Sequence, residues 1–275
     1  MSDSRNEPQA SDESLIIGGG DDTTDPWLMF NQAAWDELAA SGNPLTQPAE
    51  DKLFQSPLKC VDGPGWLGDS IRGQRVLCLA AGGGRQGPLY AAAGGKVTVV
   101  DISGAMLRMD RQVATERKLD IETIQTPMDE LSMLVDGMFD LVIHPVSTCY
   151  VPDVSGVFRE VARVLRKGGL YISQHKQPTS LQMSLKPDAT GYSVNAEYYR
   201  NDALPVFAGK SPLREPGTYE FVHRWEQLIG WMCRAGFVIE DLLEPIHARQ
   251  DARVGSLGHR SRFVAPYVRV KARRV

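Results

Sequence analysis

Short unbroken apolar runs alternate along the chain with segments of helical spacing. Val76, Leu77, Cys78 and Leu79 carry no polar alternation, as expected of a strand covered on both faces. Lys96 to Val100, FDLVI from Phe139 to Ile143, and Leu170 to Ser173 read the same way. Between them, Val154, Val157, Phe158, Val161 and Leu165 recur at three and four residues and make one apolar stripe, which Lys167-Gly168-Gly169 is expected to stop. Asp25-Pro26 opens a helix over 25–41, with Phe30, Ala34 and Leu38 on one face, and Ser103 caps another running to about Glu116. Weaker helical signals lie near Ala49 to Ser56, at Trp66 to Ile71, and at Trp225, Leu228, Ile229 and Met232. Ile121–Gln125 reads as an edge strand and Phe237–Leu243 as a further strand; Val268, Val270 and Ala272 alternate with Arg269, Lys271 and Arg273 in a closing strand of period two. Repeated strand–helix units followed by two closing strands predict an α/β fold: a seven-stranded, mostly parallel sheet with helices on both faces.

The candidate chemistry sits in RVLCLAAGGGRQGPLYAAAGGKVTVVDIS, from Arg75 to Ser103. A buried strand runs into Gly82-Gly83-Gly84, where glycine allows positive φ and lets the backbone approach a ligand. A small-residue helix and a second strand follow, and Asp101 stands at that strand's carboxyl end. Ligands of open parallel sheets bind outside those carboxyl ends, where a carboxylate can accept hydrogen bonds from both hydroxyls of a ribose. A bare βαβ turn does not need three adjacent glycines. Gly82, Gly84 and Gly87 also satisfy G-x-G-x-x-G, so a nicotinamide-dependent oxidoreductase is one reading of this loop.

The same stretch resembles the first motif of class I S-adenosylmethionine-dependent methyltransferases, with Ala80, Gly82 and Gly84 at the alternating positions. FDLVI…VFREVARVLRKGGLYIS strengthens the likeness, because it is similar to that family's fourth strand, helix and fifth strand and not to the usual dehydrogenase pattern. The resemblance spans roughly Asp25 to Arg274. It implies a Rossmann-like sheet whose last strand is antiparallel, S-adenosyl-L-methionine as cofactor, and methyl transfer to a small-molecule acceptor. It further implies that backbone N–H groups around Ala80, Gly82, Gly83 and Gly84 face the methionine and ribose, that Asp101 and Ile102 flank the sugar, and that Met128 and Asp129 border the adenine. His144 would border the methionine part, while Trp35 and Tyr150 would wall the substrate and His175, just beyond the fifth strand, would be the base or substrate contact. Two positions depart from the pattern: Cys78 and Pro127 stand where the family usually carries acidic residues. The first departure keeps a second alternative open, a non-catalytic protein that binds the cofactor and regulates.

Composition narrows the partners. With 275 residues, 42% hydrophobic and 23% charged, the chain can bury an ample core. A net charge of −4 favours neither nucleic acid nor an anionic membrane as partner. Apolar runs fall short of a membrane span, and MSDSRNEPQASDES has neither the basic start nor the apolar core of a signal peptide. Cys60, Cys78, Cys149 and Cys233 form no C-x-x-C pair and no histidine pair has metal-ligand spacing, so no metal site and a cytoplasmic location are expected. Residues 1–24 have the composition of a flexible acidic tail. Residues 178–218 carry scattered aromatics and prolines without periodicity; the resemblance makes them a lid-like insertion over the substrate, an oligomer contact being the alternative, and the oligomeric state is left open.

Overall fold

The computed structural model describes residues 25–209 and 211–275; the acidic tail expected over 1–24 lies outside them. The strands are β1 (Arg75–Leu79), β2 (Lys96–Asp101), β3 (Ile121–Gln125), β4 (Phe139–His144), β5 (Leu165–Lys176), β6 (Phe237–Leu243) and β7 (Tyr267–Arg274). Among the described residues they form one sheet in the order β3-β2-β1-β4-β5-β7-β6, with β7 antiparallel to both neighbours and the other pairs parallel. This is the Rossmann-like architecture expected from the sequence, including the antiparallel last strand.

The helices are α1 (Pro26–Ala40), α2 (Pro57–Val61), α3 (Gln86–Ala92), α4 (Gly104–Arg117), α5 (Val154–Val164), α6 (Pro178–Gln182), α7 (Trp231–Arg234) and α8 (Leu257–Arg260). Alternation along the strands splits the core in two. Leu77, Leu79, Val142, Tyr171, Val268 and Val270 face the α5 side, where Val157, Phe158 and Val161 supply the predicted stripe. Val76, Cys78, Val97, Val99, Leu141 and Ile143 face the other side with Tyr90 and Leu107. Ser103 caps α4 as anticipated, its hydroxyl accepting from the Met106 N–H. Asp25 makes no side-chain cap; proline at the first helical position starts α1 without one.

Three local expectations need correction. Trp66 to Ile71 forms turns and not a helix; the Asp62 carboxylate takes the Trp66 and Leu67 N–H groups and bends the chain there. Ala49 to Ser56 holds a 3-10 turn at Asp51–Gln55, and α2 follows it. The α5 helix ends at Val164, before Lys167-Gly168-Gly169, because β5 already starts at Leu165. At its other end β5 runs three residues past Ser173, since Gln174, His175 and Lys176 pair with Arg269, Val268 and Tyr267 of β7.

The 178–218 region is tied down by buried charge. Lys176 Nζ donates to Glu215 Oε2 and to Glu220 Oε2 (3.0 Å), Arg214 Nε donates to Glu220 Oε1 (3.0 Å), and the Tyr150 hydroxyl donates to Glu215 Oε2 (2.6 Å). Two cations balance two anions in a place where the Lys176 and Glu220 side chains are 3% and 0% exposed. Removing one partner of a buried pair leaves a charge without compensation, a loss of about 3–5 kcal/mol. Lys176→Met is therefore expected to lower unfolding stability by about that amount, measured as the midpoint of urea denaturation; an unchanged midpoint would show that the network contributes nothing.

Candidate active site

A cavity of about 460 Å³ opens at the carboxyl ends of β1, β2, β4 and β5, within the range of small-molecule and cofactor sites. Of the residues singled out from sequence, Ala80, Gly82, Gly83, Asp101, Ile102, Met128, His144, Trp35 and Tyr150 line it. Trp35 and Tyr150 meet edge to face, with ring centroids 5.6 Å apart. Asn31 of α1, one helical turn before Trp35, is fully buried. It donates to the carbonyls of Tyr150 (3.1 Å) and Tyr219 (3.2 Å) and accepts from the Tyr219 N–H.

Asp101 is the hub of the loop. Its Oδ2 accepts the Gly82 N–H and its Oδ1 the Ser103 N–H, both at 2.9 Å. A carboxylate has about four lone-pair sites, so these two bonds do not exhaust it, and Asp101 lines the cavity. The adjoining turn is forced. A Cβ on Gly82 would sit 2.7 Å from Met106 Cβ and 3.0 Å from Asp101 Oδ2, and Ala80 holds a left-handed φ of 48°, a strain typical of ligand loops.

The inward hydrogen bonds correct one expectation. The Gly82 N–H is taken by Asp101, and the Gly83 N–H by Asp110 Oδ2 (2.9 Å) and the Met106 carbonyl (3.1 Å). These donors do not face the cavity; the loop offers instead a wall without side chains. Gly84 is buried against Val113 and Pro48 and is not part of the wall. Asp129 also lies off the wall, beside Gly156 of α5, and Thr126 of the same loop lines the cavity in its place.

His175 is likewise away from the cavity. The extension of β5 makes it a strand residue on the core face, 1% exposed, against Phe158. Its ring nitrogens are held by Thr148 Oγ1 and Ser173 Oγ, both at 2.8 Å, and burial holds its pKa well below the usual histidine value. His144 lines the cavity, with both nitrogens engaged by the Tyr171 hydroxyl (2.7 Å) and Ser147 Oγ (2.6 Å). Burial lowers it to about 3.

Two functional candidates were missed. Asp110 on α4 is fully buried, and its Oδ1 has no hydrogen-bond partner among the described residues. It meets the glycine loop across 27 positions, and no local pattern in the sequence marks that role. Glu215 lines the cavity from a segment without periodicity, so no sequence signal marked it.

A family described as Methyltransferase domain matches residues 77–173. A Bacillus subtilis protein named uncharacterized methyltransferase YbaJ is 33% identical over 231 residues, covering 79% of this chain and 90% of that protein. The chain belongs to the class I S-adenosylmethionine-dependent methyltransferases. A ubiquinone biosynthesis O-methyltransferase of Bordetella avium is 29% identical over 134 residues, with 48% of this chain and 52% of that protein covered. In fold, the chain is similar to an S-adenosylmethionine-dependent methyltransferase from Mesorhizobium loti, with a TM-score of 0.60 and 21% identity over 80% of this chain and 100% of that one. Membership in this family does not favour the nicotinamide or the non-catalytic reading, and S-adenosyl-L-methionine is the cofactor. Among the described residues no helix is long and apolar enough to cross a membrane.

The loop's two carboxyls give this site a testable pH signature. Burial pushes Asp110 up to about 7 and Asp101 up to about 6, from ordinary values of 3.8. A fold that keeps such protons longer than the unfolded chain loses stability as pH rises from about 4 to about 7. The buried His144 and His223, lowered to about 3 and about 4, act in the opposite sense, losing stability as pH falls below 6.5. Comparison with Asp110→Asn isolates the carboxyl. The variant should be more stable than the wild type by about 1–4 kcal/mol at pH 8, with the gap closing toward pH 4. Thermal melts of the ligand-free protein at constant ionic strength check this, and a gap independent of pH would refute it.

Proposed function

We propose that this chain moves the methyl group of S-adenosylmethionine to a small-molecule acceptor held in the same cavity. The observation that carries the reading is Asp101: a buried carboxylate at the end of β2, anchored on one side by Gly82 and Ser103 and open to the cavity on the other. Asp101 would accept both ribose hydroxyls, with Ile102, Met128 and Thr126 beside the base and Ala80, Gly82 and Gly83 permitting close approach. The cofactor, when bound, supplies a methyl on a positively charged sulfur that is already a good leaving group. The protein's work is then alignment and exclusion of water. His144, locked by Tyr171 and Ser147, would shape the wall as a neutral ring. Trp35 and Tyr150 would bound the acceptor. The 178–218 segment would cover the acceptor side, a reading supported by the position of Glu215 on the cavity wall. The four free cysteines fit a cytoplasmic setting.

Glu215 takes the base role that sequence assigned to His175. Its Oε2 is occupied by Tyr150 and Lys176, whereas its Oε1 has no partner among the described residues and is not sealed from the cavity. A carboxylate so placed can accept the proton of an O–H or N–H nucleophile as the methyl arrives.

Two measurements test these assignments. Asp101→Ala should weaken S-adenosylhomocysteine binding by about 1.5–3 kcal/mol, or ten- to a hundredfold, by titration calorimetry; unchanged affinity would remove Asp101 from the site. Glu215→Gln should lower kcat by about 10²-fold or more on a phenol or amine acceptor while cofactor affinity holds. An equal loss in both would mean that Glu215 supports the fold and not the proton transfer.

A further inference from the structure

Arg269 is unlike the other basic residues of β7. Lys271 and Arg273 are both paired with Glu240 across the sheet. Arg269 stands where the antiparallel strand begins, beside the carboxyl end of β5, and its half-buried side chain lines the cavity. Its Nε donates to Gln174 Oε1 at 2.6 Å, which fixes the plane of the guanidinium. Among the described residues no acceptor takes either terminal nitrogen and no carboxylate lies within salt-bridge distance. The acids on the cavity wall are committed elsewhere: Asp62 to the N–H groups of Trp66 and Leu67, Asp101 to Gly82 and Ser103, Glu215 to Lys176 and Tyr150. A guanidinium held by one neutral amide on the wall of a partly desolvated cavity matches a bidentate anion in shape and charge.

We infer that the methyl acceptor carries a carboxylate or phosphate group and that Arg269 receives it. The inference rests on the reading of this cavity as the methyl-transfer site and adds the acceptor's class. Apolar and aromatic side chains share the cavity wall with Arg269, Val61, Trp66, Leu67, Tyr90 and Tyr267 among them. They suit an acceptor whose body is apolar or aromatic. Arg269 has no carboxylate partner whereas Glu215 is already paired with Lys176, so the anionic end goes to Arg269 and the nucleophile is left for Glu215.

The test uses the full-length protein saturated with S-adenosylhomocysteine and three probes of similar shape: benzoate, phenyl phosphate and neutral benzamide. Titration calorimetry should show benzoate or phenyl phosphate binding at least tenfold more tightly than benzamide. The stronger of the two anions identifies which group the site prefers. Arg269→Gln should abolish the difference, and Arg269→Lys, which keeps the charge but not the fork, should retain only part of it. The S-adenosylhomocysteine affinity and melting temperature of both variants report whether they fold. Equal binding of benzamide and the anions by the wild type, absence of anion binding at millimolar concentration, or full anion binding by Arg269→Gln would each overturn the inference. Failure of the wild type to bind S-adenosylhomocysteine would instead overturn the reading of the cavity itself.

Discussion

The carboxylate of Asp101 is the constraint on which the site depends. It joins the turn after β1 to the turn after β2 through two short hydrogen bonds, so the chain on either side of the βαβ crossover is fixed to one group. The choice of residues around it follows. Gly82 has no room for a side chain between Met106 and Asp101. Ser103 must turn its N–H back to the same carboxylate while its hydroxyl caps α4 and donates to Asp36 of α1. The glycine loop, the α4 N-terminus and α1 therefore share one hydrogen-bonded junction.

A second carboxylate lies beneath the first. The family's usual acid within the first strand is Cys78 here, fully buried among apolar neighbours. Asp110 reaches the loop from α4 instead and takes the Gly83 N–H. Neither Asp101 nor Asp110 has a cation within salt-bridge distance among the described residues, and their charges raise the cost of ionising Asp110. Two desolvated carboxyls without a counter-ion are costly in the empty fold. A positively charged ligand at the cavity lowers that cost for both. The loop is thus held in a form whose electrostatics improve when a cation such as a sulfonium arrives.

How much of this was legible depends on the range of the interactions involved. The apolar runs of β1, β2 and β4 and the stripe of α5 were readable because burial on a parallel sheet or on one helix face leaves a local pattern. Asp101 was readable because its position at a strand end fixes its surroundings. The true end of β5 was not: pairing with β7, about a hundred residues later, carries the strand through Lys176 and turns His175 into the core. Glu215 was hidden for the same reason. Its segment has no periodicity, and its place is set by ion pairs to Lys176 and a hydrogen bond from Tyr150, contacts that span 39 and 65 positions. The inward turn of the Gly82 and Gly83 donors was beyond reach as well, since Asp110 lies 27 positions from Gly83.

Tyr150 shows why the two halves of the cavity act as one. Its carbonyl accepts from Asn31 of α1, its ring meets Trp35 of the same helix, and its hydroxyl is bound to Glu215. Asn31 in turn holds both the carbonyl and the N–H of Tyr219, while the Phe221 N–H reaches the Cys149 carbonyl and His223 donates to the carbonyls of Thr148 and Val151. Residues 148–151 are thereby clamped between α1 and the 215–223 stretch. Displacing α1 from this turn would free Asn31 from Tyr150 and Tyr219 and leave buried polar groups unpaired on both elements. Because α1 also reaches Ser103 through Asp36, and Ser103 is bonded to Asp101, the Asp101 end and the Glu215 end of the cavity are linked through α1 by hydrogen bonds.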